Sequence, residues 1–173
     1  MKAAIVINGC GGVGKDTLCR MAERQYRVRN VSSITPIKEI AKQCGWQGEK
    51  TDKARKFLAD LKQLTVDYND YPTTWLKEQY DQFMQSDDEL MFVHIREPKE
   101  IEKFVSMTGG KAITLLIRGG SRMAMREGTY GNSADDMVEQ YSYDFYFEND
   151  KPLDRVEPLF LATLRGILHA GRK

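Results

Sequence analysis

The sequence has few of the residues that build metal centres, disulfide frameworks or polyanion-binding surfaces. Among 173 residues there are three cysteines, Cys10, Cys19 and Cys44, and two histidines, His94 and His169. An odd number of cysteines without a CxxC pair is typical of reduced thiols and argues against a thiolate zinc site. The 26 Lys and Arg residues nearly balance the 25 Asp and Glu residues. Without a basic excess, we expect no nucleic acid polymer as a partner.

The sequence also lacks long apolar runs and segments that would divide it. No run approaches the roughly 18 apolar residues that cross a bilayer, and the first residues, MKAAIVINGCGG, show no signal-peptide cleavage pattern. We therefore expect a cytoplasmic protein with no membrane partner. Because repeats, low-complexity tracts and linkers are absent as well, residues 1–173 are interpreted as a single domain.

What the sequence does contain is an alternation of short apolar runs and amphipathic segments. Strands are predicted at residues 2–8, 28–33, 89–95, 111–117 and 144–148. Helices are predicted to start at Gly14 and Ser133 and to cover residues 37–44, 51–68, 72–84, 98–107 and 156–168. This alternation predicts an α/β fold, a three-layer sandwich with a five-stranded parallel sheet, in which ligands bind at the carboxyl ends of the strands.

The apolar faces of the predicted helices indicate which residues are buried. On the 51–68 helix the stripe comprises Ala54, Phe57, Leu58, Leu61, Leu64, Thr65 and Tyr68, with Lys53, Lys56 and Lys62 off it. The Ser133 helix would bury Ala134, Met137, Val138 and Tyr141. The last helix would bury Val156, Leu159, Phe160, Leu164, Ile167 and Leu168.

The most specific signal is the segment GCGGVGKDT at residues 9–17, between the first strand and the first helix. Gly9, four residues, Gly14 and Lys15 have the P-loop spacing, in which main-chain N–H groups surround phosphates at a helix N-terminus. Lys15 would reach the β- and γ-phosphates of ATP. The predicted nucleotide-binding residues of the loop are Gly9, Gly11, Gly12, Val13, Gly14, Lys15, Asp16 and Thr17.

The same glycines allow a second interpretation. Gly9, Gly11 and Gly14 satisfy GxGxxG, the fingerprint of dinucleotide-binding proteins, which is a weak signal by itself. That fold needs an acidic residue about 20 positions later, where this chain has Ser32 and Ser33. Because this acidic residue is missing, the P-loop interpretation is favoured, and an NAD(P)-binding oxidoreductase is kept as the alternative. A GTPase is disfavoured, because the sequence has neither DxxG nor NKxD.

The loop and two later motifs resemble those of the nucleoside monophosphate kinase group, in particular deoxynucleoside monophosphate kinases and animal-type phosphomevalonate kinases. Beside the GKDT loop, the chain has Pro36 and Lys38 after the second strand, and Arg96, Pro98 and Glu100 after the third. The resemblance implies a P-loop NTPase sandwich with a short lid and ATP-dependent transfer of a phosphoryl group to a small phosphorylated acceptor, with a (deoxy)nucleoside monophosphate favoured.

By the same resemblance, individual residues take roles in the site. Lys38, Arg96 and Arg55 would bind the acceptor phosphate, which planar guanidinium groups clamp through two hydrogen bonds. The alternatives are a structural ion pair for Arg96 and a solvated helix face for Lys38 and Arg55. Kinases of the adenylate kinase type also place a residue without a hydroxyl after the lysine and a Thr next, which implies a magnesium site served by Asp16 and Thr17.

One position departs from the family pattern. Two residues before Arg96 the family usually has Asp, and this chain has His94. A neutral His94 would leave more of the magnesium binding to Asp16. This substitution motivates a further alternative, a catalytically silent nucleotide-binding module that acts through a protein partner.

The remaining candidates follow the fourth and fifth strands. Arg118, Arg122 and Arg126 recur every four residues in a glycine-bounded segment of about residues 118–132, which predicts a lid that closes over the phosphates. Together with Lys15 and Arg96 they are the predicted catalytic residues; the alternative for the three is a solvated basic helix. Asn149 lies where similar kinases border the adenine, and it is equally interpreted as a turn residue.

Overall fold

The computed structural model describes residues 2–119 and 137–170. In this part of the chain, five strands form one parallel sheet: β1 (Ala3–Asn8), β2 (Val28–Ser32), β3 (Leu90–His94), β4 (Ile113–Arg118) and β5 (Phe145–Glu148). The α-helices are α1 (Lys15–Ala22), α2 (Thr35–Gln43), α3 (Asp52–Asn69), α4 (Tyr71–Gln85), α5 (Pro98–Met107) and α6 (Leu153–Ala170). The five-stranded parallel sheet predicted from the sequence is confirmed.

The strand order is β2-β3-β1-β4-β5, so that β1 lies in the middle. Ile5 of β1 pairs with Phe92 of β3 on one side and with Ile113 of β4 on the other. In the common dinucleotide-binding fold β2 is the direct neighbour of β1, whereas here β3 separates them. The strand order therefore does not favour the oxidoreductase interpretation of the glycine-rich loop.

The strand β1 is buried on both faces, as its unbroken apolar sequence predicts. Ile5 and Ile7 belong to a core shared with α1 and α6, which contribute side chains such as Phe160. Val6 belongs to a second core on the opposite face, shared with α4 and α5 and including Phe83. The sheet is thus covered on both sides, which gives the three-layer sandwich that the sequence predicts.

The helix α3 corrects the prediction of which face is buried. Of the predicted stripe, Ala54 is buried, but the exposed fractions of Phe57, Leu64 and Tyr68 are 36%, 66% and 88%. Lys62, predicted to lie off the buried stripe, is instead mostly buried beside α5. The side of α3 that faces the protein therefore includes Lys62, which forms ion pairs with Glu97 and Glu100 at the start of α5.

Two smaller predictions about helices are also wrong. Ser133 and Ala134 lie outside the described residues, but Val138–Gln140 forms a single 3-10 turn and Tyr141 has extended backbone, so the predicted helix does not continue there. Val138 is nevertheless buried. In α6, Leu159 is exposed although the apolar pattern places it inside.

Capping explains where α3 begins and ends. The Thr51 side chain accepts a hydrogen bond of 3.2 Å from the Ala54 N–H, which satisfies one free donor of the first turn. Asp70 takes the left-handed conformation at φ 53° and separates α3 from α4, and its carboxylate accepts bonds from Thr73 and Lys103. Over the described ranges, no helix combines the length and the apolar character needed to span a membrane.

Candidate functional site

The glycine-rich loop follows β1 directly and has a backbone path that only glycine takes easily. Gly9, Gly12 and Gly14 have φ angles of +148°, +78° and +95°. A Cβ atom on Gly9 would lie 2.4 Å from the carbonyl oxygen of Ile117 in β4. Val13, in contrast, is buried in the core below the loop, and its N–H donates to the Cys10 carbonyl. The loop is therefore anchored at Val13 and shaped by its glycines.

The first turn of α1 is open to an anion. Gly14 occupies the N-cap position and supplies no side-chain acceptor for the free N–H groups of this turn. Lys15 begins the helix, and its Nζ atom donates to the main-chain carbonyls of Gly9 and, at 3.1 Å, of Cys10. An ammonium group folded over a loop of main-chain amides at a helix N-terminus fits the phosphates of a nucleotide.

Asn149, predicted to border the adenine, contacts the glycine-rich loop. It follows β5, and its main-chain N–H donates to the Arg118 carbonyl at 2.7 Å. Its side-chain Nδ2 donates to the Val13 carbonyl at 2.7 Å. A Cβ atom on Gly14 would lie 2.6 Å from the same Nδ2 atom. Asn149 thus contacts the loop from above β5 and leaves no room for a side chain at Gly14.

Asn8, the last residue of β1, is buried and connects three segments through hydrogen bonds. The sequence did not predict this role. Its Oδ1 accepts the Gly9 N–H at 2.8 Å, and its Nδ2 donates to the Arg96 carbonyl at 3.1 Å and to the Tyr143 hydroxyl at 2.8 Å. The Tyr143 hydroxyl donates in turn to the Val138 carbonyl, and burial raises the pKa of Tyr143 to about 12. A polar residue that ends an apolar strand was the available signal for this junction.

The predicted metal residues occupy the start of α1. Asp16 is exposed and Thr17 is half-buried. Among the described residues there is no cluster of three or more His, Cys, Asp or Glu side chains that could hold a metal by themselves. Magnesium in phosphotransferases is commonly held by one or two protein oxygens together with substrate phosphates and water. Asp16 and Thr17 fit that sparse donor set.

His94 lies at the carboxyl end of β3, next to α1. Burial lowers the pKa of His94, and the charge of Asp16 opposes that shift only in part. Its Nε2 lies 3.4 Å from Asn30 Oδ1 and 4.0 Å from Cys19 Sγ, and burial raises the pKa of Cys19 to about 12. Both groups are therefore neutral at pH 7. They line a groove of about 210 Å³ together with Asp16, Arg20, Glu23 and Asn30.

The predicted cationic residues mostly follow the ends of neighbouring strands. Lys15 follows β1, Arg96 follows β3 and Arg118 ends β4, and these three strands are adjacent in the sheet. The fold therefore places them at one edge, where ligands of parallel sheets bind. Lys38 follows β2 at the start of α2 and is exposed, while Arg55 in α3 is paired with Asp52 at 3.3 Å.

Arg118 already has carboxylate partners in this structure. Its guanidinium donates to both oxygens of Glu139 at 3.0 and 2.7 Å and lies 4.5 Å from the centre of the Tyr146 ring. Glu148 is 3.9 Å away. Arg122, Arg126 and most of the predicted lid lie outside the described residues. The described part of the predicted lid thus shows Arg118 held by protein carboxylates.

A partly buried ionic cluster that follows Arg96 in sequence was also missed. Lys62 Nζ lies 3.2 Å from Glu97 and 2.9 Å from Glu100, which join α3 to the first turn of α5. Burial raises the pKa of Glu100 to about 7, although Lys62 favours its ionised form. Burial would also raise the pKa of Glu97, but Lys62 and hydrogen bonds lower it. The sequence offered Glu100 as part of a motif, but it gave no signal for Lys62.

The comparisons with known proteins agree with this geometry at the level of the fold. No family model matches the chain, and no curated protein matches it in sequence. Solved structures do match along nearly the whole chain. A gluconokinase from Sinorhizobium meliloti has a TM-score of 0.54 and 18% identity, covering 97% of this chain and 94% of its own.

Two further structures show the same likeness. A thymidylate kinase from Candida albicans has a TM-score of 0.55 and 10% identity, covering 99% of this chain and 94% of its own. The tunicamycin resistance protein of Deinococcus radiodurans has a TM-score of 0.60 and 10% identity, covering 95% and 96%. The chain therefore has the fold of P-loop kinases, and sequence identities this low show no more than the fold.

Proposed function

We propose that this protein is an ATP-dependent small-molecule kinase whose acceptor is itself phosphorylated, with a (deoxy)nucleoside monophosphate as the favoured acceptor. In this proposal residues 1–173 form one kinase domain that works in the cytoplasm, with a lid at about residues 118–132. The observation that carries the proposal is the loop, where Lys15 lies over main-chain amides at the open N-terminus of α1.

On the ATP side the loop binds and orients the triphosphate. The amides of residues 9–14 hold the phosphate oxygens, and Lys15 exchanges its main-chain carbonyl partners for the β- and γ-phosphates. Asn8 and Asn149 keep the loop in place through their bonds to Gly9 and Val13. Because these contacts are formed before the nucleotide arrives, little reorganisation accompanies binding.

On the acceptor side Arg96, with Lys38 and Arg55, binds the phosphate that receives the transfer. An oxygen of that phosphate forms a bond to the γ-phosphorus while the bond from this phosphorus to the bridging oxygen breaks, and ADP leaves. A phosphate dianion has no proton to lose, so no side chain is needed as a base. Arg96 and the lid arginines Arg118, Arg122 and Arg126 offset the charge that develops, and catalysis is positioning plus electrostatics.

When bound, magnesium would supply positive charge that offsets part of the charge of the phosphates. Asp16 and Thr17 are the residues of this chain that would hold it, with Asp16 acting through a water molecule. His94 is neutral and bonded within its own groove, so it takes the place of the family's Asp without supplying a negative charge. The proposal therefore assigns more of the metal binding to Asp16 than the resemblance alone would.

His94 is also the observation that favours a second candidate, a nucleotide-binding module without catalysis. Binding and catalysis are separated by two measurements. Thermal denaturation with ADP, ATP, NAD⁺ and NADP⁺ should show stabilisation by the adenosine phosphates alone, since a ligand that binds only the folded state raises its stability. Lys15→Ala should lose this stabilisation, and Lys111→Ala, an exposed lysine away from the loop, should keep it.

The second measurement is ADP production with a panel of acceptors that includes all (deoxy)nucleoside monophosphates, mevalonate phosphate and dephospho-CoA. The kinase proposal expects one or a few acceptors to give turnover that Lys15→Ala removes. If the wild type and Lys15→Ala show the same background with every acceptor while ADP still stabilises the wild type, the binding module replaces the kinase.

A further inference from the structure

The side chain of Asn8 connects the glycine-rich loop to the main chain of Arg96. Its Oδ1 atom accepts the Gly9 N–H at 2.8 Å, and its Nδ2 atom donates to the Arg96 carbonyl at 3.1 Å. Asn8 is fully buried, so its amide cannot exchange these partners for bulk water. One side chain therefore joins the residue that opens the loop to the arginine that is proposed to bind the acceptor.

The orientation of this amide is fixed by its partners. The second Nδ2 hydrogen goes to the Tyr143 hydroxyl at 2.8 Å, and that hydroxyl donates its own hydrogen to the Val138 carbonyl at 3.0 Å. A flipped amide would place Oδ1 against the Arg96 carbonyl and Nδ2 against the Gly9 N–H, which are two acceptors and two donors. The amide therefore cannot turn over without breaking its bonds to both sides.

On the nucleotide side, the connection continues to Lys15. Lys15 Nζ donates to the carbonyl of Gly9, whose N–H is held by Asn8. Gly9 is closely packed, since a Cβ atom on it would lie 2.4 Å from the Ile117 carbonyl oxygen in β4. A change at the Gly9 carbonyl is therefore more readily passed to Asn8 than taken up inside the loop.

On the acceptor side, the main chain around Arg96 is held while the residue itself is exposed. Ile95, which precedes it, is 1% exposed, and Pro98 begins α5 after Glu97 in an extended conformation. The bond from Asn8 lies between these two fixed points. A shift of the Asn8 amide therefore moves the place from which the Arg96 side chain leaves the main chain.

We propose that Asn8 is a positioning residue that couples the two substrate sites, so that nucleotide binding at Lys15 changes the placement of Arg96. The proposal rests on the proposed kinase function and specifies how one substrate prepares the site of the other. When Lys15 exchanges the Gly9 carbonyl for phosphate oxygens, the hydrogen bonds of Asn8 carry the change to Arg96. Because only a few hydrogen bonds carry it, we expect a coupling of about five-fold, at the low end of the usual range.

Hydrogen exchange with ADP as the only ligand tests this coupling without an assay of turnover. Magnesium is left out, so that a metal beside His94 cannot protect the segment directly. In the wild type, saturating ADP should slow exchange in residues 9–18 and, by about five-fold, in residues 94–97. Protection confined to residues 9–18 overturns the coupling and leaves the kinase proposal standing. Absence of protection in both segments overturns the coupling together with the proposed nucleotide binding.

Two matched truncations show whether Asn8 carries the coupling. Asn8→Ala removes the bridge to Arg96, and Asn149→Ala removes the hydrogen bond to the Val13 carbonyl in the same loop. At saturating ADP both variants should keep the protection of the loop. Asn149→Ala should also keep the protection of residues 94–97, and Asn8→Ala should lose it. If Asn8→Ala protects residues 94–97 as the wild type does, the proposal is wrong.

A second pair of variants decides the question if Asn8→Ala does not fold. Asn8→Asp has the same shape and keeps an acceptor for the Gly9 N–H, but it turns an acceptor towards the Arg96 carbonyl. Tyr143→Phe removes only the hydroxyl and leaves the bond from Asn8 to Arg96 in place. At saturating ADP, Asn8→Asp should lose the protection of residues 94–97 and Tyr143→Phe should keep it. Equal loss in the two variants would mean a general loosening of the buried network and would overturn the role of Asn8.

Discussion

The two sides of the candidate site are held in place in different ways. On the loop side, formed by Asn8, residues 9–17 and Asn149, the contacts run mostly to main-chain atoms. On the Arg96 side, formed by Arg96, Lys62, Glu97 and Glu100, a partly buried ionic cluster joins α3 to α5, which is distant in sequence. The first arrangement follows from a local glycine pattern, and the second exists only once α3 has packed on α5.

The largest loss of stability is expected on the loop side, from Gly9→Ala. The new Cβ would lie 2.4 Å from the main-chain oxygen of Ile117, and φ of +148° suits few L-residues. We expect a loss of about 3 to 5 kcal/mol in the free energy of unfolding, measured by urea denaturation. Gly166→Ala in α6 is the matched control, since no described atom would meet its Cβ within 4 Å. It should be neutral or gain up to about 1 kcal/mol.

The next largest loss of stability is expected on the Arg96 side, from Lys62→Met. This variant leaves two carboxyl groups without their cation. We expect a loss of about 2 kcal/mol at pH 8 and a smaller loss at pH 5, where Glu100 is protonated. The matched control is Lys56→Met, because Lys56 forms an exposed pair with Asp60 on the same helix and should cost less than about 0.5 kcal/mol. Equal losses for the two variants would mean that the cluster of Lys62, Glu97 and Glu100 does not hold α3.

The variant Glu100→Gln tests the Arg96 side through the pH dependence of the protein's stability. A folded-state pKa of about 7, raised from 4.5 mainly by burial, means that the folded protein keeps a proton that the unfolded chain loses. This contribution to stability is complete below about pH 4.5 and is lost as the pH rises to 7. Glutamine mimics the protonated form, so the variant should show a flatter melting temperature between pH 5 and pH 8 and should melt above the wild type at pH 8. An unchanged pH slope would contradict the assignment.

The smallest effect is expected from Asn149→Ala, which removes the hydrogen bond to the Val13 carbonyl. The free energy of unfolding should fall by about 1 kcal/mol, and ADP should bind a few-fold more weakly because the loop loses a brace. Isothermal titration with ADP gives the affinity. If the ADP affinity is unchanged, Asn149 is a turn residue without a role in nucleotide binding, as the sequence equally allows.

The sequence was sufficient where a local pattern fixes the structure. The apolar runs located the five strands, and the glycine spacing located the loop at the carboxyl end of β1. The sequence was not sufficient where a contact between distant residues competes with an apolar pattern. The stripe of α3 predicts that Tyr68 is buried, yet Tyr68 is 88% exposed, and Lys62, which lies off the stripe, forms ion pairs with α5. Pairing of Lys62 with Glu97 and Glu100 cannot be inferred from spacing, because the partners are 35 and 38 residues away.

The three cysteines differ enough in environment to serve as separate chemical reporters. Maleimides react with thiolates, so the buried thiol of Cys19, with its pKa of about 12, should stay unlabelled in the folded protein. Cys44 is exposed at the end of the helix that carries Lys38, and Cys10 is half-buried within the glycine-rich loop. A nucleotide in the loop would shield Cys10 and leave Cys44 accessible, so the ratio of their labelling rates reads out occupancy of the loop without an assay of turnover.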